Sequence, residues 1–449
     1  MHRDAGRPAG GARQAAFHTL VAAETGSVYT DLRLNTMIKQ EGLDARDAGF
    51  AAYLCYGVVE NRRLLDWHIR RFSKIRLKKL ETRVLILLRL GAFQLFFADK
   101  VPASAAINET VALAKTQVSP KAAGFINALL RRLAAVEDPF DLPLEGEAYL
   151  SVRYSHPEWL VAAMRERFGD EALVPALEAN RSHPPVTAAL NTVKTAPEAA
   201  IEALGREGVE TERLYDGLPL YALKHSGSVE RLSAYREGLF WVQDPAAFFA
   251  VLALGPGKSD RVLDMCAAPG GKSFAAALLM EGKGHVLAGD IHPHKQKIIE
   301  KGAARLGFSS ISTCVHDASM KNDAYFGRFD RVICDVPCSG LGIIRKKPDI
   351  LEKDPESFGA LPEKQSAMLE AAADAVAPGG RLLYSTCTWR REENEDVVDA
   401  FVGKHPEFAP VPFDLPVNNG RAKDGKLTLQ PHIHGTDGFF ICVLVKKDV

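Results

Sequence analysis

Residues 261–273 read RVLDMCAAPGGKS, a short apolar strand that leads into a loop of small residues and glycines. The same rhythm of an apolar run followed by a helical or loop segment continues towards the end of the chain. The further predicted strands are residues 285–290, 312–317, 330–336 and 381–386, several of which are continuously apolar. Strands that alternate with helices pair in parallel, and strands that are apolar throughout have helices on both faces. We therefore predict a doubly wound, Rossmann-like α/β domain over residues 237–449, which the apolar run 438–445 closes as an edge or antiparallel strand.

The length of the chain predicts further domains. At 449 residues it exceeds one ordinary hydrophobic core, because domains usually contain about 100 to 200 residues. Between residues 12 and 135, Ala, Leu and Arg dominate and apolar residues recur every three or four positions, which is typical of helices. We predict an all-helical domain at residues 1–137, and a linker with a small α+β subdomain at residues 138–236.

Composition narrows the class of protein. Hydrophobic residues make up 47% and charged residues 25%, which is typical of a globular protein and excludes a disordered or collagen-like chain. The longest apolar run, residues 84–98, contains Arg89 and Gln94 and is shorter than the ~20 residues of a membrane span, so it predicts a buried helix. The first residues lack the apolar core of a secretory signal, and an odd number of cysteines, seven, favours reduced thiols. We expect a cytoplasmic, monomeric protein without membrane contact.

The net charge of zero conceals an uneven distribution. Residues 1–135 contain 21 Lys or Arg and 11 Asp or Glu, so the remainder of the chain is acidic to the same extent. A basic cluster of this kind can bind a polyanion if its members share a face, and the alternative is a solvated helix surface. The candidates for contact with a polyanion in the cluster are Arg62, Arg63, Arg70, Arg71, Lys78 and Lys79.

The loop after the first strand has the composition of a ligand-binding turn. Small residues and glycines allow a ligand to approach the backbone where the next helix begins, at the carboxyl edge of the sheet. A phosphate-binding loop would need glycine where Cys266 stands, and Ala267 and Pro269 interrupt the glycine spacing of a dinucleotide fingerprint. The loop therefore predicts a nucleotide-like ligand bound in another way, and the alternative is a purely structural turn.

Acidic residues recur where the predicted strands end. Asp290 follows the second strand, Asp317 the third and Asp335 the fourth. A carboxylate after the second strand can accept hydrogen bonds from ribose hydroxyls, and one after the third can reach an adenine amino group. Each acid alone is more often a helix cap or turn former, but the repeated placement favours an adenosine site.

Two cysteines lie in polar loops beyond strand ends. Cys338 follows the fourth strand and Cys387 the fifth. If those strands are adjacent and parallel, both thiols reach one edge of the sheet, beside the predicted cofactor. Such loops can lower the pKa of a thiol, whereas a cysteine within a strand is usually a small buried hydrophobe.

These motifs resemble the RsmB/Sun family of RNA cytosine carbon-5 methyltransferases. The matching segments are CAAPGGK at 266–272, DVPCSG at 335–340, RKKPDI at 345–350, STCT at 385–388 with EENE at 392–395, and QDP at 243–245. Residues 12–133 resemble the NusB-like RNA-binding domain of the bacterial members. The resemblance covers nearly the whole chain. It implies a class I methyltransferase domain at residues 237–449 that uses S-adenosyl-L-methionine, and a small-subunit (16S) ribosomal RNA substrate.

The resemblance also implies roles for individual residues. Cys387 attacks carbon 6 of the cytosine, Cys338 assists its release, and Asp335 is shared between cofactor and base. Arg345 and Lys346 are expected to hold RNA phosphates. The residues implied for cofactor binding are Cys266, Ala267, Ala268, Pro269, Gly270, Gly271, Lys272, Asp290, Asp317 and Asp335.

Two other functions remain open at this point. One is a noncatalytic RNA-binding or ribosome assembly factor, against which the intact cysteines and cofactor loop argue. The other is a nicotinamide-dependent oxidoreductase, which the glycine spacing disfavours. The His292/His294 and His432/His434 pairs lack an evident third ligand, so we expect no metal site.

Overall fold

The computed structural model describes residues 11–26 and 30–448, and it divides into two compact units. The first unit comprises residues up to Arg181 together with Lys347–Glu352, and the second comprises Ser182–Lys346 together with residues 353–448. Within the described residues, every helix is too short or too polar to cross a bilayer.

The first unit is helical, as predicted for residues 12–135. Its helices are α1 (Gly11–Glu24), α2 (Thr30–Gln40), α3 (Ala45–Glu60), α4 (Arg62–Phe72), α5 (Thr82–Phe97), α6 (Ala103–Gln117), α7 (Pro120–Leu133), α8 (Gly146–Arg153), α9 (Glu158–Phe168) and α10 (Asp170–Asn180). Capping signals explain where two of them begin. The Asp44 side chain accepts the Asp47 N–H before α3, and Ser119 accepts the Ala122 N–H before α7, whose first residue is Pro120.

Helix α5 forms the centre of this unit, and the prediction of a buried helix is confirmed. Its residues from Val84 to Gln94 are all buried, including Arg89, which is 3% exposed. The Arg89 guanidinium binds Asp66 through two hydrogen bonds of 2.7 and 2.8 Å and Glu24 through one of 3.1 Å. A buried guanidinium is tolerated because its charge is paired in this way.

A short segment from later in the sequence completes the first unit. The 3₁₀ helix Pro348–Glu352 contributes Asp349, whose carboxylate accepts a 2.6 Å hydrogen bond from the Thr30 hydroxyl. It also contributes Glu352, which forms ion pairs with Arg62 and Arg63 at 3.3 and 2.7 Å.

The second unit begins with a small antiparallel sheet. Its strands β1 to β4 are accompanied by two helices, as predicted for an α+β subdomain. The elements are β1 (Val186–Leu190), α11 (Pro197–Arg206), β2 (Glu210–Arg213), β3 (Leu220–Lys224), α12 (Ser233–Arg236) and β4 (Phe240–Val242). The strand order is β2-β3-β1-β4.

The main sheet has the predicted alternation of strands and helices. Its elements are α13 (Pro245–Leu254), β5 (Arg261–Asp264), α14 (Gly271–Leu279), β6 (His285–Asp290), α15 (Pro293–Leu306), β7 (Ile311–Val315), β8 (Phe329–Asp335), α16 (Leu361–Ala375), β9 (Val376–Thr386) and α17 (Glu395–Lys404). The chain continues with β10 (Phe408–Pro410), β11 (Phe413–Asp414), β12 (Arg421–Ala422), β13 (Lys426–Leu429), α18 (Pro431–His434) and β14 (Phe439–Lys446).

The strand order of this sheet is β10-β14-β9-β8-β5-β6-β7, and β13 also pairs with β14. Strands β5 to β9 run parallel, while β14 is antiparallel to β9, as predicted for the last apolar run. Because β10 pairs with its other side, β14 is not an edge strand. The strands are apolar because helices pack on both faces of the sheet, in two separate clusters of buried residues.

The parallel register aligns the polar residues at the strand ends. Asp335 in β8 lies opposite Ser385 in β9, and Asp264 in β5 lies opposite Ile333 in β8. Asp290 ends β6, on the other side of β5. These residues therefore meet at the carboxyl edge of one sheet, where doubly wound folds bind their ligands.

Asp264 is a fully buried carboxyl group within this edge. Burial raises the pKa of Asp264 to about 7, against the opposing effects of the Ser273 hydroxyl, which donates a 2.7 Å hydrogen bond, and of Lys272. Its other oxygen, Oδ1, has no hydrogen-bond partner among the described residues. The group therefore carries a proton in the folded chain at pH values where an exposed aspartate is ionised.

This raised pKa predicts a pH-dependent stability. Between about pH 4 and pH 7 the unfolded chain loses the Asp264 proton and the folded chain keeps it, so the free energy of unfolding decreases as the pH rises. Asp264→Asn removes this dependence and keeps the shape and the acceptor oxygen. We expect urea unfolding to show that wild type loses about 2 to 4 kcal/mol more than the variant between pH 4 and pH 8. Parallel pH profiles for the two proteins would contradict the assignment.

Candidate active site

The two cysteines of the predicted site meet at the carboxyl edge of the sheet. Cys338 lies in the loop after β8, and Cys387 directly follows β9. Their Sγ atoms are 3.3 Å apart, within hydrogen-bond distance for sulfur, and both are free thiols. The sequence placed both thiols at one edge, and the structure brings them into direct contact.

The environments of the two thiols differ. The hydrogen bond with Cys387, burial and the nearby Glu393 carboxylate all raise the pKa of Cys338 well above its usual range. Cys338 therefore keeps its proton at neutral pH. The Lys272 ammonium interacts electrostatically with the Cys387 sulfur.

Asp335 is held from two sides beside the thiols. Lys272 Nζ lies 2.6 Å from Oδ2, and the Ser385 hydroxyl donates a 2.7 Å hydrogen bond to Oδ1. Burial by itself lowers the pKa of Lys272, but the Asp335 carboxylate outweighs it and the net pKa is raised. The side chain of Asp335 is 26% exposed, so this fixed carboxylate can still contact a ligand.

The predicted cofactor loop, residues 266–272, connects β5 with α14. Gly270 has φ +112°, and a Cβ there would lie 2.5 Å from the Phe274 ring, so both the conformation and the space require glycine. Helix α14 begins at Gly271, and the first N–H groups of a helix lack partners within it. The Cys266 thiol is largely buried, which raises its pKa. The loop can therefore receive polar ligand atoms on its backbone, beside Asp335.

The acids predicted to bind adenosine flank this loop. Asp290 at the end of β6 is 6% exposed, and its Oδ1 accepts the His292 N–H at 3.0 Å. Lys295 Nζ lies 3.6 Å from Oδ2. Asp317 follows β7 and accepts hydrogen bonds from the hydroxyl and N–H of Ser319, which lower its pKa. Both groups are acceptors for ligand hydroxyl or amino groups, which fits the prediction for a nucleoside.

Arg345 and Lys346 form ion pairs within the second unit. The Arg345 side chain is 6% exposed and binds Asp437 at 3.0 Å, with Asp244 at 3.7 Å. Lys346 binds Asp437 at 2.8 Å and also pairs with Asp244. Both cations are thus engaged with carboxylates, and their contact with RNA phosphates stays a prediction.

The basic cluster of the first unit divides into two groups. Arg62 and Arg63 are half-buried and bind Glu24 and Glu352. Four of the six candidates are exposed, namely Arg70, Arg71, Lys78 and Lys79. Arg71 stacks over the rings of Trp67 and Phe72 at 5.7 and 5.6 Å. Among the described residues these four side chains form no ion pair, so they can meet a polyanion without first breaking one.

The sequence analysis missed a set of buried polar residues behind the thiols. Gln365 and Glu393 are 0% exposed, and both contact the loop that carries Cys338. Glu393 belongs to the EENE segment that resembles the family, but the resemblance gave it no role, and Gln365 lies within a helix where its position carried no signal. Among the described residues, no cluster of His, Cys, Asp and Glu is arranged to hold a metal ion.

Three protein-family models match successive segments of the chain. A family model described as 16S rRNA methyltransferase RsmB/F matches residues 251–445, and the NusB family model matches residues 11–135. A third model, an RsmF/B-like ferredoxin-like domain, matches residues 156–221.

Solved structures share the fold. The crystal structure of PH0851 has a TM-score of 0.84 and 26% identity, and the match covers 99% of this chain and 100% of that one. NSun6 from Pyrococcus horikoshii with SFG has a TM-score of 0.55 and 23% identity, and the match covers 65% of this chain and 98% of that one.

Curated relatives match the chain over almost its full length. The probable ribosomal RNA small subunit methyltransferase B of Bacillus subtilis is 35% identical, and the match covers 97% of this chain and 98% of the relative. A protein of the same name from Synechocystis is 32% identical, with 97% and 99% covered. With these relatives and the three domain matches in their order, the chain belongs to the RsmB/F family of 16S rRNA methyltransferases.

Proposed function

We propose that this protein transfers a methyl group from S-adenosyl-L-methionine to carbon 5 of a cytosine in small-subunit (16S) ribosomal RNA, in the cytoplasm. The observation that carries the proposal is the 3.3 Å contact between Cys338 and Cys387 beside Asp335. This chemistry needs two groups that act in turn on one pyrimidine ring, and the contact supplies two sulfurs within reach of the same atom. The relatives named ribosomal RNA small subunit methyltransferase B support the substrate class.

S-adenosyl-L-methionine fits the carboxyl edge of the sheet. When bound, it supplies an electrophilic methyl group on a sulfonium. The backbone of loop 266–272 would hold it, Asp290 would accept hydrogen bonds from the ribose hydroxyls, and Asp317 would accept one from the adenine amino group. Asp335 ends β8 at the same edge as the thiols and is fixed by Lys272 and Ser385. The donors and acceptors present thus match an adenosine on one side and a base on the other.

The base is activated by covalent addition. Cytosine carbon 5 is a weak nucleophile, so the Cys387 thiolate first bonds to carbon 6 and moves electron density onto carbon 5. The Lys272 ammonium interacts electrostatically with this sulfur. After addition, protonated N3 of the ring can donate a hydrogen bond to Asp335, which stabilises the adduct.

Release requires loss of the carbon-5 proton and return of the bonding electrons to the Cys387 sulfur. We assign this step to Cys338, because its sulfur lies 3.3 Å from the sulfur that leaves. The Cys338 S–H gives its proton to the departing Cys387 sulfur, and the thiolate that this leaves on Cys338 takes the carbon-5 proton, so both groups end the step as thiols.

RNA binding and chemistry use separate parts of the chain. The exposed side chains Arg70, Arg71, Lys78 and Lys79 are proposed to bind phosphates, which fixes the RNA without reading its sequence. The target cytosine must leave its stack to reach Cys387, as in other enzymes that modify bases.

The roles of the cysteines predict opposite trapping behaviour. With target RNA and S-adenosyl-L-methionine, Cys338→Ala should accumulate a protein–RNA adduct that survives denaturing electrophoresis, because addition proceeds and release is blocked. Cys387→Ala should form none. Both variants should lose labelled-methyl turnover and retain cofactor binding. The reverse trapping pattern would overturn the assignment, and cofactor binding by wild type without methyl transfer to any RNA would indicate a noncatalytic RNA-binding protein.

The proposed phosphate contacts predict how RNA affinity changes with salt concentration when two lysines are removed. Lys78→Ala together with Lys79→Ala should weaken binding to matched and unrelated RNA by similar factors and reduce the slope of log affinity against log salt by about 1 to 2. The comparison is Lys115→Ala, an exposed lysine in α6 of the same unit. Filter binding at several salt concentrations measures both quantities. Equal slopes for the double variant and wild type would remove these lysines from the RNA interface.

A further inference from the structure

The peptide on each side of Cys338 is bound by a buried side chain. The Gln365 amide donates a 3.0 Å hydrogen bond to the Pro337 carbonyl, and the Glu393 carboxylate accepts the Ser339 N–H at 2.9 Å. The same Gln365 nitrogen donates to the same Glu393 oxygen, Oε2, at 3.0 Å. Gln365 and Glu393 therefore form one continuous clasp around the residue that carries the thiol.

Burying a carboxylate is unfavourable unless hydrogen bonds or a paired charge offset the loss of its hydration. Both side chains are 0% exposed, and an isolated carboxylate in such a place is strongly destabilising. The second Glu393 oxygen, Oε1, has no hydrogen-bond partner among the described residues, and the Arg390 guanidinium lies 3.9 Å from it. The hydrogen bonds of the Glu393 carboxylate are therefore those to the Ser339 N–H and to Gln365, at the Cys338 loop.

The clasp is also connected to the strand that carries Cys387. The Tyr384 hydroxyl, on β9, donates a 2.6 Å hydrogen bond to the Glu393 carbonyl. The hydroxyl groups of Ser339 and Thr388, each the neighbour of one cysteine, are 2.9 Å apart. Fixing the Cys338 loop to these groups fixes the separation of the two sulfurs.

We propose that Glu393 is a positioning residue for the release step, which together with Gln365 holds Cys338 in reach of the sulfur of Cys387. This inference rests on the proposed function. Among the described residues, no hydrogen bond or ion pair joins either side chain to Cys387, the cofactor loop or Asp335, so both act through Cys338.

The test is adduct accumulation during turnover. Glu393→Gln keeps the volume of the side chain but places a neutral amide against two donors, so the loop loses its strongest acceptor. We expect steady-state adduct with target RNA to rise at least about tenfold over wild type, with slower methyl turnover. Gln365→Leu removes the hydrogen bonds to the Pro337 carbonyl and to Glu393, and it should give the same change. The matched control is Glu392→Gln, an adjacent acid whose side chain is 55% exposed, and it should behave like wild type.

Double variants separate positioning from general damage. Adding Glu393→Gln to Cys338→Ala should give no more adduct than Cys338→Ala alone, and adding it to Cys387→Ala should give none. Binding of S-adenosyl-L-methionine should stay within about twofold of wild type in each single variant, which a loss of folding would not allow. If one of the two clasp variants does not fold, the other carries the test.

The outcomes distinguish this inference from the function on which it rests. If Cys338→Ala traps RNA but neither clasp variant does, the positioning role is wrong and the methyl transfer mechanism stands. If Cys338→Ala itself traps nothing, the release role fails and the inference fails with it. A rise in adduct that is equal for Glu392→Gln and Glu393→Gln would also overturn it.

Discussion

The parallel pairing of β8 with β9 is the constraint on which the site depends. It sets Asp335 opposite Ser385 and sends both strands into loops at the same edge. Cys338 and Cys387 are 49 residues apart in sequence, and only this pairing brings their sulfurs to 3.3 Å. A shift of the register by one residue would turn every side chain of one strand to the other face of the sheet. The core that packs on both faces therefore fixes the chemistry as well as the fold.

Charge is distributed unevenly around that contact. The Lys272 ammonium pairs with Asp335 on the side of Cys387, while the Glu393 carboxylate lies on the side of Cys338. Burial, the hydrogen bond with Cys387 and the nearby carboxylate keep Cys338 a neutral thiol. A neutral thiol in contact with the Cys387 sulfur suits the release role that the family resemblance implies for Cys338.

Much of the fold could be predicted from sequence because hydrophobic periodicity is a local property of the chain. The alternation after residue 237, the helical pattern up to residue 135 and the two cysteines beyond strand ends all correspond to elements of the structure. The Pro348–Glu352 segment could not be assigned in this way, since its place in the helical unit depends on pairs such as Thr30 with Asp349. The burial of Arg345 likewise depends on Asp437, a partner 92 residues away.

The clasp shows why a site cannot be read completely from motifs. Glu393 and Gln365 matter through hydrogen bonds to backbone, and any loop residue offers the same N–H and C=O groups. No pattern in the sequence of residues 337–339 therefore points to their partners. What distinguishes them is burial, because a carboxylate at 0% exposure persists only where its hydrogen bonds offset its desolvation. The thiols can be recognised in the sequence because a cysteine is reactive by its own chemistry. The residues that position them can be recognised only in the structure, from their burial and their hydrogen bonds.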